Sequence, residues 1–355
     1  MKEKFFDPYL GPVRKCYVGY ATNEEIRLKA SSGGVLTALL VGLLEEEQIN
    51  GAFVVGMKEA EPWLAEPILA TTKEAILLST QSKYQPINFR RLLRNIPEHN
   101  RYVMVDRPCG IKYLNSFETR LGKNLKDRIA YRFGLFCGFE MQLAGTEFLL
   151  RKLKVKTEDI VSLEYRGGRW PGGFRVITKD GTEKFVSKDM YSLLAYIYAS
   201  KKCLFCQDQT GELADISFGD AWFMGEKSKG YTAIIARNPR GESLIKTARE
   251  KGWVDIKEID YQEIKYSHRF LCKYKKVGGR VRMNLRKKTR ITENINPSLG
   301  PITEKDIIIQ TLYYHIYKYR HFFMFCFNIL PFNFFTFISK TLRRDIYKHV
   351  RESTL

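Results

Sequence analysis

The residue types best suited to chemistry in this chain are its cysteines. Cys203 and Cys206 form a C-x-x-C pair, Cys203-Leu204-Phe205-Cys206, a spacing that on a turn brings two thiolates within reach of one metal centre. Alone the pair is compatible with zinc, iron–sulfur or thiol redox chemistry, and it supplies half of a tetrahedral set. Cys109, in Arg107-Pro108-Cys109-Gly110, and Cys137, in Leu135-Phe136-Cys137-Gly138, are the natural complement. Each follows the carboxyl end of a predicted strand, and in an open α/β sheet those ends face the ligand crevice. Pro108 and the neighbouring glycines would let the backbone approach a bulky inorganic group. The competing reading makes Cys109 and Cys137 small buried hydrophobes, and spacing does not choose between the two. Cys16, Cys272 and Cys326 lack such context and read as core.

Stepping along the chain gives the elements that must position these thiols. Ser31-Ser32-Gly33-Gly34 opens an apolar helix that runs to the charged Glu45-Glu46-Glu47, with serine and glycine at its start as a helix N-terminus prefers. Residues 51–56, 101–106 and 129–136 read as strands, and 110–122 and 139–154 as helices. This alternation predicts an α/β layer with a largely parallel sheet and flanking helices over residues 15–158. From about residue 160 the pattern becomes mixed α+β: short strands at 161–165, 173–178 and 183–186 with a turn at 179–182, a helix over 190–200 leading into the C-x-x-C, and strands at 215–219 and 231–237. That part extends over 159–267, and a basic, aromatic extension occupies 268–355.

Composition bounds the function classes. The chain has 355 residues, 44% hydrophobic and 13% aromatic, which excludes a wholly disordered protein and allows two packed domains. Its 59 Lys and Arg against 39 Asp and Glu give a net charge of +20. Residues 1–267 carry 41 basic and 34 acidic side chains, whereas 268–355 carry 18 and 5, so the excess belongs to the last quarter. The first residues contain no apolar signal-peptide core, so a cytoplasmic setting is expected, where seven cysteines are poor disulfide candidates.

Within the extension, residues 269–290 hold ten Lys and Arg and no acid. A solvated flexible loop is the ordinary explanation for such a run. Residues 322–339 are uncharged and contain eight phenylalanines, but Asn328, Pro331 and Asn333 interrupt a membrane span. Two readings stand level: a segment lying on an anionic membrane surface, peripheral at its inner face, and one packed on protein.

Seven short motifs in order resemble the coenzyme F-420 hydrogenase/dehydrogenase beta subunit family. They are Ser31-Ser32-Gly33-Gly34-Val35; Ser82-Lys83-Tyr84; Pro108-Cys109-Gly110; Phe136-Cys137-Gly138; Tyr165-Arg166 with Trp170; Cys203 through Asp208; and Ala214 through Trp222. No single motif is specific, but their order across roughly residues 15–240 is. The resemblance implies a flavin, FAD in preference to FMN, a 4Fe-4S cluster, and an oxidoreductase passing electrons between them. It puts Cys109, Cys137, Cys203 and Cys206 at the cluster and Ser31, Ser32, Gly33 and Gly34 at the flavin, where Ser82, Lys83 and Tyr84 would add a hydroxyl, a charge and a ring. The same S-S-G-G could be an ordinary helix cap, and Arg166, Trp170, Asp215 and Asp220 have structural readings too.

The implied partners are a small-molecule or deazaflavin substrate and an electron-transfer protein such as a ferredoxin, with surface-polysaccharide metabolism as one setting; nucleic acid is not expected. One departure is clear: Gly110 stands where the family usually carries glutamine. No histidine in these motifs offers itself as a proton donor. The alternative from a different class is a non-enzymatic, zinc-stabilised module that binds nucleic acid or anionic membrane through its basic tail.

Overall fold

A computed structural model describes residues 5–97, 99–121, 127–191, 194–225, 229–289, 297–299, 302–331 and 334. The strands are β1 (Phe5–Asp7), β2 (Gly11–Val13), β3 (Lys15–Ala21), β4 (Gly51–Met57), β5 (Ala65–Ala70), β6 (Tyr102–Asp106), β7 (Ile129–Leu135), β8 (Ile160–Gly167), β9 (Gly173–Thr178), β10 (Glu183–Ser187), β11 (Ile216–Asp220), β12 (Thr232–Ala236) and β13 (Val254–Ile259). Eight of them form one sheet in the order β13-β3-β12-β11-β7-β6-β4-β5, while β10-β9-β8 form a second, antiparallel sheet and β1-β2 a short hairpin.

The large sheet is mixed. Its centre, β4-β6-β7-β11, is parallel as expected, but both flanks are antiparallel. The β4–β5 and β11–β12 connections explain much of this, because so short a return allows only antiparallel pairing. Strands from both sides of residue 158 interleave in this sheet, so its core is not divided there.

Side-chain alternation assigns the two faces. Ala52 and Val54, Val103 and Val105, Tyr17, and Ile234 and Ala236 join one apolar cluster with the helices Val35–Glu45 and Pro239–Glu250. Their neighbours in sequence point the other way. Phe53, Tyr102 and Met104 pack with Ile111, Leu114 and Phe117 of the helix Pro108–Leu121. Cys16, Val18, Ala233 and Ile235 pack with Ile264, Cys272, Val277 and Val281 of the helix Tyr261–Lys287. A further cluster joins β8 and β9 to the helix Leu143–Lys152 and to Phe327.

The last quarter departs most from its sequence pattern. The basic run is no flexible loop. From 261 to 287 it is a 27-residue helix with His268, Cys272, Tyr274, Lys275, Gly279 and Arg282 buried along one side. Of the expected helix over 190–200, Lys188–Tyr191 and Leu194–Ile197 are helical, residues 192 and 193 lie outside the described residues, and residues 198–200 have left the helix. Of residues 322–339, the first part is the helix Arg320–Ile329, with Phe322, Phe325 and Ile329 exposed and Phe327 buried; residues 332, 333 and 335–339 lie outside the described residues. Among the described residues no helix is long and apolar enough to cross a membrane.

Candidate functional site

Cys109 is the second residue of the helix that leaves β6, and Cys137 lies two residues beyond β7. Since β6 and β7 are parallel neighbours, Asp106 opposite Gly134, both cysteines emerge from adjacent carboxyl ends. The Cys137 N–H donates to Gln209 O at 2.8 Å, which draws in the loop after the C-x-x-C. Cys203 is the third residue of the short helix Lys201–Leu204; its sulfur accepts from Glu140 N at 3.3 Å, and the Cys206 thiol donates to Asp208 O at 3.3 Å.

All four thiols share one electrostatic environment. Burial pushes Cys203 up to about 12, with Cys137, Cys206 and Cys109 adding to the rise and Lys275 opposing it. Burial raises Cys137 as well, against the pull of Lys275 and Arg107. Cys137, Cys206 and Cys109 thus lie within electrostatic reach of Cys203. Among the described residues no three His, Cys, Asp or Glu side chains stand close enough to hold a single metal ion. A cubane's thiolates sit on separate corners and stand farther apart than four ligands of one ion. Soft sulfur donors with cations close by fit an iron–sulfur cluster.

Three residues around this set were missed in the sequence. Arg107 pairs with Asp106 at 3.2 Å, donates to Ile87 O at 3.1 Å and pairs closely with the buried Glu140. Glu140 also accepts from Ser200 Oγ at 2.7 Å and pairs with Lys202 at 3.0 Å, so its side chain ties the Cys109 turn to the Cys203 turn. Lys275, 2% exposed, approaches Cys206 Sγ at 3.4 Å and Asp208 O at 3.2 Å. Burial alone would lower its pKa, but Cys137, Cys206 and Cys203 hold it above the ordinary lysine value. A signal for it existed: His268, Lys275 and Arg282 recur every seven residues and so share one helix face.

Gly110 has a local reason. A Cβ there would fall 1.8 Å from Asp106 Oδ2, so the carboxylate occupies the space where the family's glutamine side chain would begin. Burial raises the Asp106 pKa, against the pull of Arg107.

The serine–glycine motif lies between the helices Glu24–Lys29 and Val35–Glu45. Gly34 takes a left-handed conformation, φ 80°, at the second helix's start, and a Cβ on Gly33 would lie 2.4 Å from Gly19 O. Ser31 Oγ accepts from Ser82 N at 2.8 Å and bonds Ser82 Oγ at 3.1 Å, bringing together two motifs 51 residues apart. Ser32 Oγ donates to Tyr231 O at 3.0 Å, and Gly33 N donates to Thr232 Oγ1 at 3.1 Å. Lys83 turns its ammonium toward the carbonyls of Ser79, at 2.6 Å, and Thr80.

Beside this loop opens a cleft of about 420 Å³ lined by Ser31, Arg27, Arg166, Arg169, Trp170 and Lys229, among others. Arg166 is buried; it donates to Ser31 O at 2.7 Å and pairs with Asp220 at 3.1 Å, where Lys188 also arrives at 3.3 Å. Against the effect of burial, these two cations hold the Asp220 carboxylate down to about 2. Burial would raise the Tyr84 phenol, but Arg166 and Lys188 bring it below its ordinary value. Among the described residues Trp170 Nε1 is buried without a hydrogen-bond partner. Several cations and an indole with a spare donor suit a phosphate-bearing aromatic ligand.

The two sites are linked. His268 Nε2 bonds Asp220 O at 2.9 Å, His268 Nδ1 bonds Gln209 Nε2 at 3.2 Å, and the ring meets Phe136 edge-on at 5.0 Å. Phe136 adjoins Cys137, so the path runs from Ser31 through Arg166, Asp220 and His268 to the cysteines.

A mixed α/β sheet with thiols at its carboxyl ends and a cationic, aromatic cleft beside them defines a class of chain built around two adjoining sites. Residues 16–94 match the N-terminal model, and 99–262 the C-terminal model, of the coenzyme F420 hydrogenase/dehydrogenase beta subunit. The chain belongs to this oxidoreductase family. It is 26% identical over 258 residues to the coenzyme F420 hydrogenase subunit beta of Methanothermobacter thermautotrophicus, covering 71% of this chain and 86% of that one. It is 27% identical to the coenzyme F420-dependent sulfite reductase of Methanocaldococcus jannaschii, over 73% of this chain but 39% of that longer protein. The F420-reducing [NiFe] hydrogenase complex of Methanosarcina barkeri contains a chain of the same fold, with TM-score 0.62 and 23% identity, covering 81% of this chain and 99% of that one. The family matches end at residue 262, so nearly all of the Tyr261–Lys287 helix lies beyond them.

Proposed function

We propose that this chain is a flavin- and 4Fe-4S-dependent oxidoreductase subunit that exchanges a hydride with a small organic substrate and single electrons with a protein partner. The observation that carries the reading is the convergence of Cys109, Cys137, Cys203 and Cys206 around buried cations, joined by a continuous contact path to the cleft at Ser31. When bound, flavin would interconvert two-electron and one-electron chemistry and the cluster would relay single electrons. Cys109, Cys137, Cys203 and Cys206 would hold the cluster, with Arg107, Glu140 and Lys275 fixing their turns and balancing charge.

Arg27, Arg166, Arg169 and Lys229 would bind the cofactor's phosphates, the Ser31–Gly34 turn would abut them, and Trp170 would cover a ring. FAD in preference to FMN is the flavin proposed. The relatives' names favour a deazaflavin coenzyme as substrate, and a ferredoxin-like protein suits the one-electron side. The zinc-module alternative is not favoured: the family match speaks for an oxidoreductase, and two cations of the basic run it needed as a surface, Lys275 and Arg282, are buried in a helix. Exposed Phe322, Phe325 and Ile329, flanked by Lys318 and Arg320, support peripheral contact with an anionic membrane. Sedimentation with anionic vesicles should carry the chain down, and serine at these three positions should abolish that.

Anaerobic purification tests the central reading. The expected result is a brown protein with about four irons per chain, as one cubane requires, and a flavin spectrum. A colourless chain holding stoichiometric zinc would overturn it.

A further inference from the structure

The Tyr261–Lys287 helix carries many cations, and most have an evident partner. Lys265 pairs with Asp7 at 3.1 Å, Lys273 with Asp306 at 3.0 Å, and Lys276 closely with Glu212. Arg282, fully buried, donates to Leu204 O at 2.7 Å and Tyr274 O at 3.0 Å and so pins the C-x-x-C turn to the helix. Lys275 differs. Like Arg282 it is buried with no carboxylate partner among the described residues, but where Arg282 meets carbonyl and amide oxygens alone, the Lys275 ammonium is directed at a thiol, Cys206 Sγ, as well as at Asp208 O. The helix can come this close because residue 279 is glycine: a Cβ there would already lie 3.0 Å from Cys206 O.

An isolated ammonium is costly to bury and persists where an anion compensates it. Here the candidate anion is the set of cysteine thiolates, which is complete only when metal-loaded. We infer that Lys275 is the built-in counter-charge of the cysteine-held centre, and that it makes the centre easier to reduce by stabilising the negative charge added with each electron. This rests on the reading that the four cysteines hold a cubane. Lys275 is a tuning residue and no catalytic group: it forms no bond and transfers no proton. Because it lies outside the residues matched by the family models, the C-terminal helix becomes part of the redox site.

The test uses the full chain, reconstituted anaerobically with ferrous iron and sulfide, as wild type, Lys275→Met and Lys275→Arg. Iron and sulfide content are measured first, then the midpoint potential, by redox titration followed by electron paramagnetic resonance. The expected result is a potential more negative in Lys275→Met than in wild type, with Lys275→Arg restored toward wild type. Loss of iron in Lys275→Met but not in Lys275→Arg would equally support the counter-charge role. Equal potentials at equal iron content, or the same loss in both variants, would overturn it. A wild-type chain that takes up no iron would instead remove the cluster reading beneath the inference.

Discussion

At Ser31–Gly34 the polar groups already have protein partners: Ser31 bonds Ser82 and Arg166, Ser32 bonds Tyr231, and Gly33 bonds Thr232. At the other end of the path, the thiols of Cys109 and Cys137 have no hydrogen-bond partner among the described residues, and burial disfavours ionising Cys137 and Cys203. One end is therefore a preorganised cradle whose geometry the chain itself maintains. The other is a donor set whose charge balance is completed by what it binds, with Lys275 and Arg107 held ready.

This contrast predicts graded responses. The largest belongs to the thiols. Cys203→Ser or Cys109→Ser should abolish the iron–sulfur chromophore while leaving the fold, by circular dichroism, close to wild type. Cys272→Ser, in the core beside β3 and β12, should keep its iron; equal loss in all three variants would erase the distinction between ligand and packing cysteines.

In the cradle, Arg166→Met leaves Asp220 with Lys188 as its remaining cation and should cost about 3 kcal/mol in urea unfolding, since it breaks a buried ion pair. Flavin retention should fall with it. Gly33→Ala forces a Cβ against Gly19 O and should cost about 1–3 kcal/mol, as overpacking does, with iron content unchanged. A Gly33→Ala chain that lost its iron would show the two ends to be one cooperative unit.

The smallest effect should come from the linker. Burial lowers the His268 pKa, although its bond to Asp220 opposes this. The unfolded chain therefore binds the proton more readily, and the contribution of His268 to stability is present above about pH 6.5 and lost as pH falls toward the folded value. His268→Gln should flatten the fall in urea midpoint between pH 7.5 and pH 5.5; an identical slope would show that other groups set it.

Legibility varied with range. Strands at the sheet centre and around the C-x-x-C stood out because their apolar runs are bounded by turn residues, and β9 coincides with the predicted 173–178. The strands β3, β5 and β13 did not, since glycine, glutamate or lysine interrupts each and only their sheet neighbours make them strands. The basic run was misread because its charge was counted without phasing, although its buried positions repeat as a helix stripe.

The residue types and their order by themselves determined the kind of chemistry this protein can support: four soft donors, a serine–glycine turn and the motifs of one family. Tertiary structure alone decided which charges face those donors. Lys275, Arg107 and Glu140 join the site because a long helix and two parallel strand ends meet there, and burial turns charges that would be solvated in the open chain into fixed fields at the thiols.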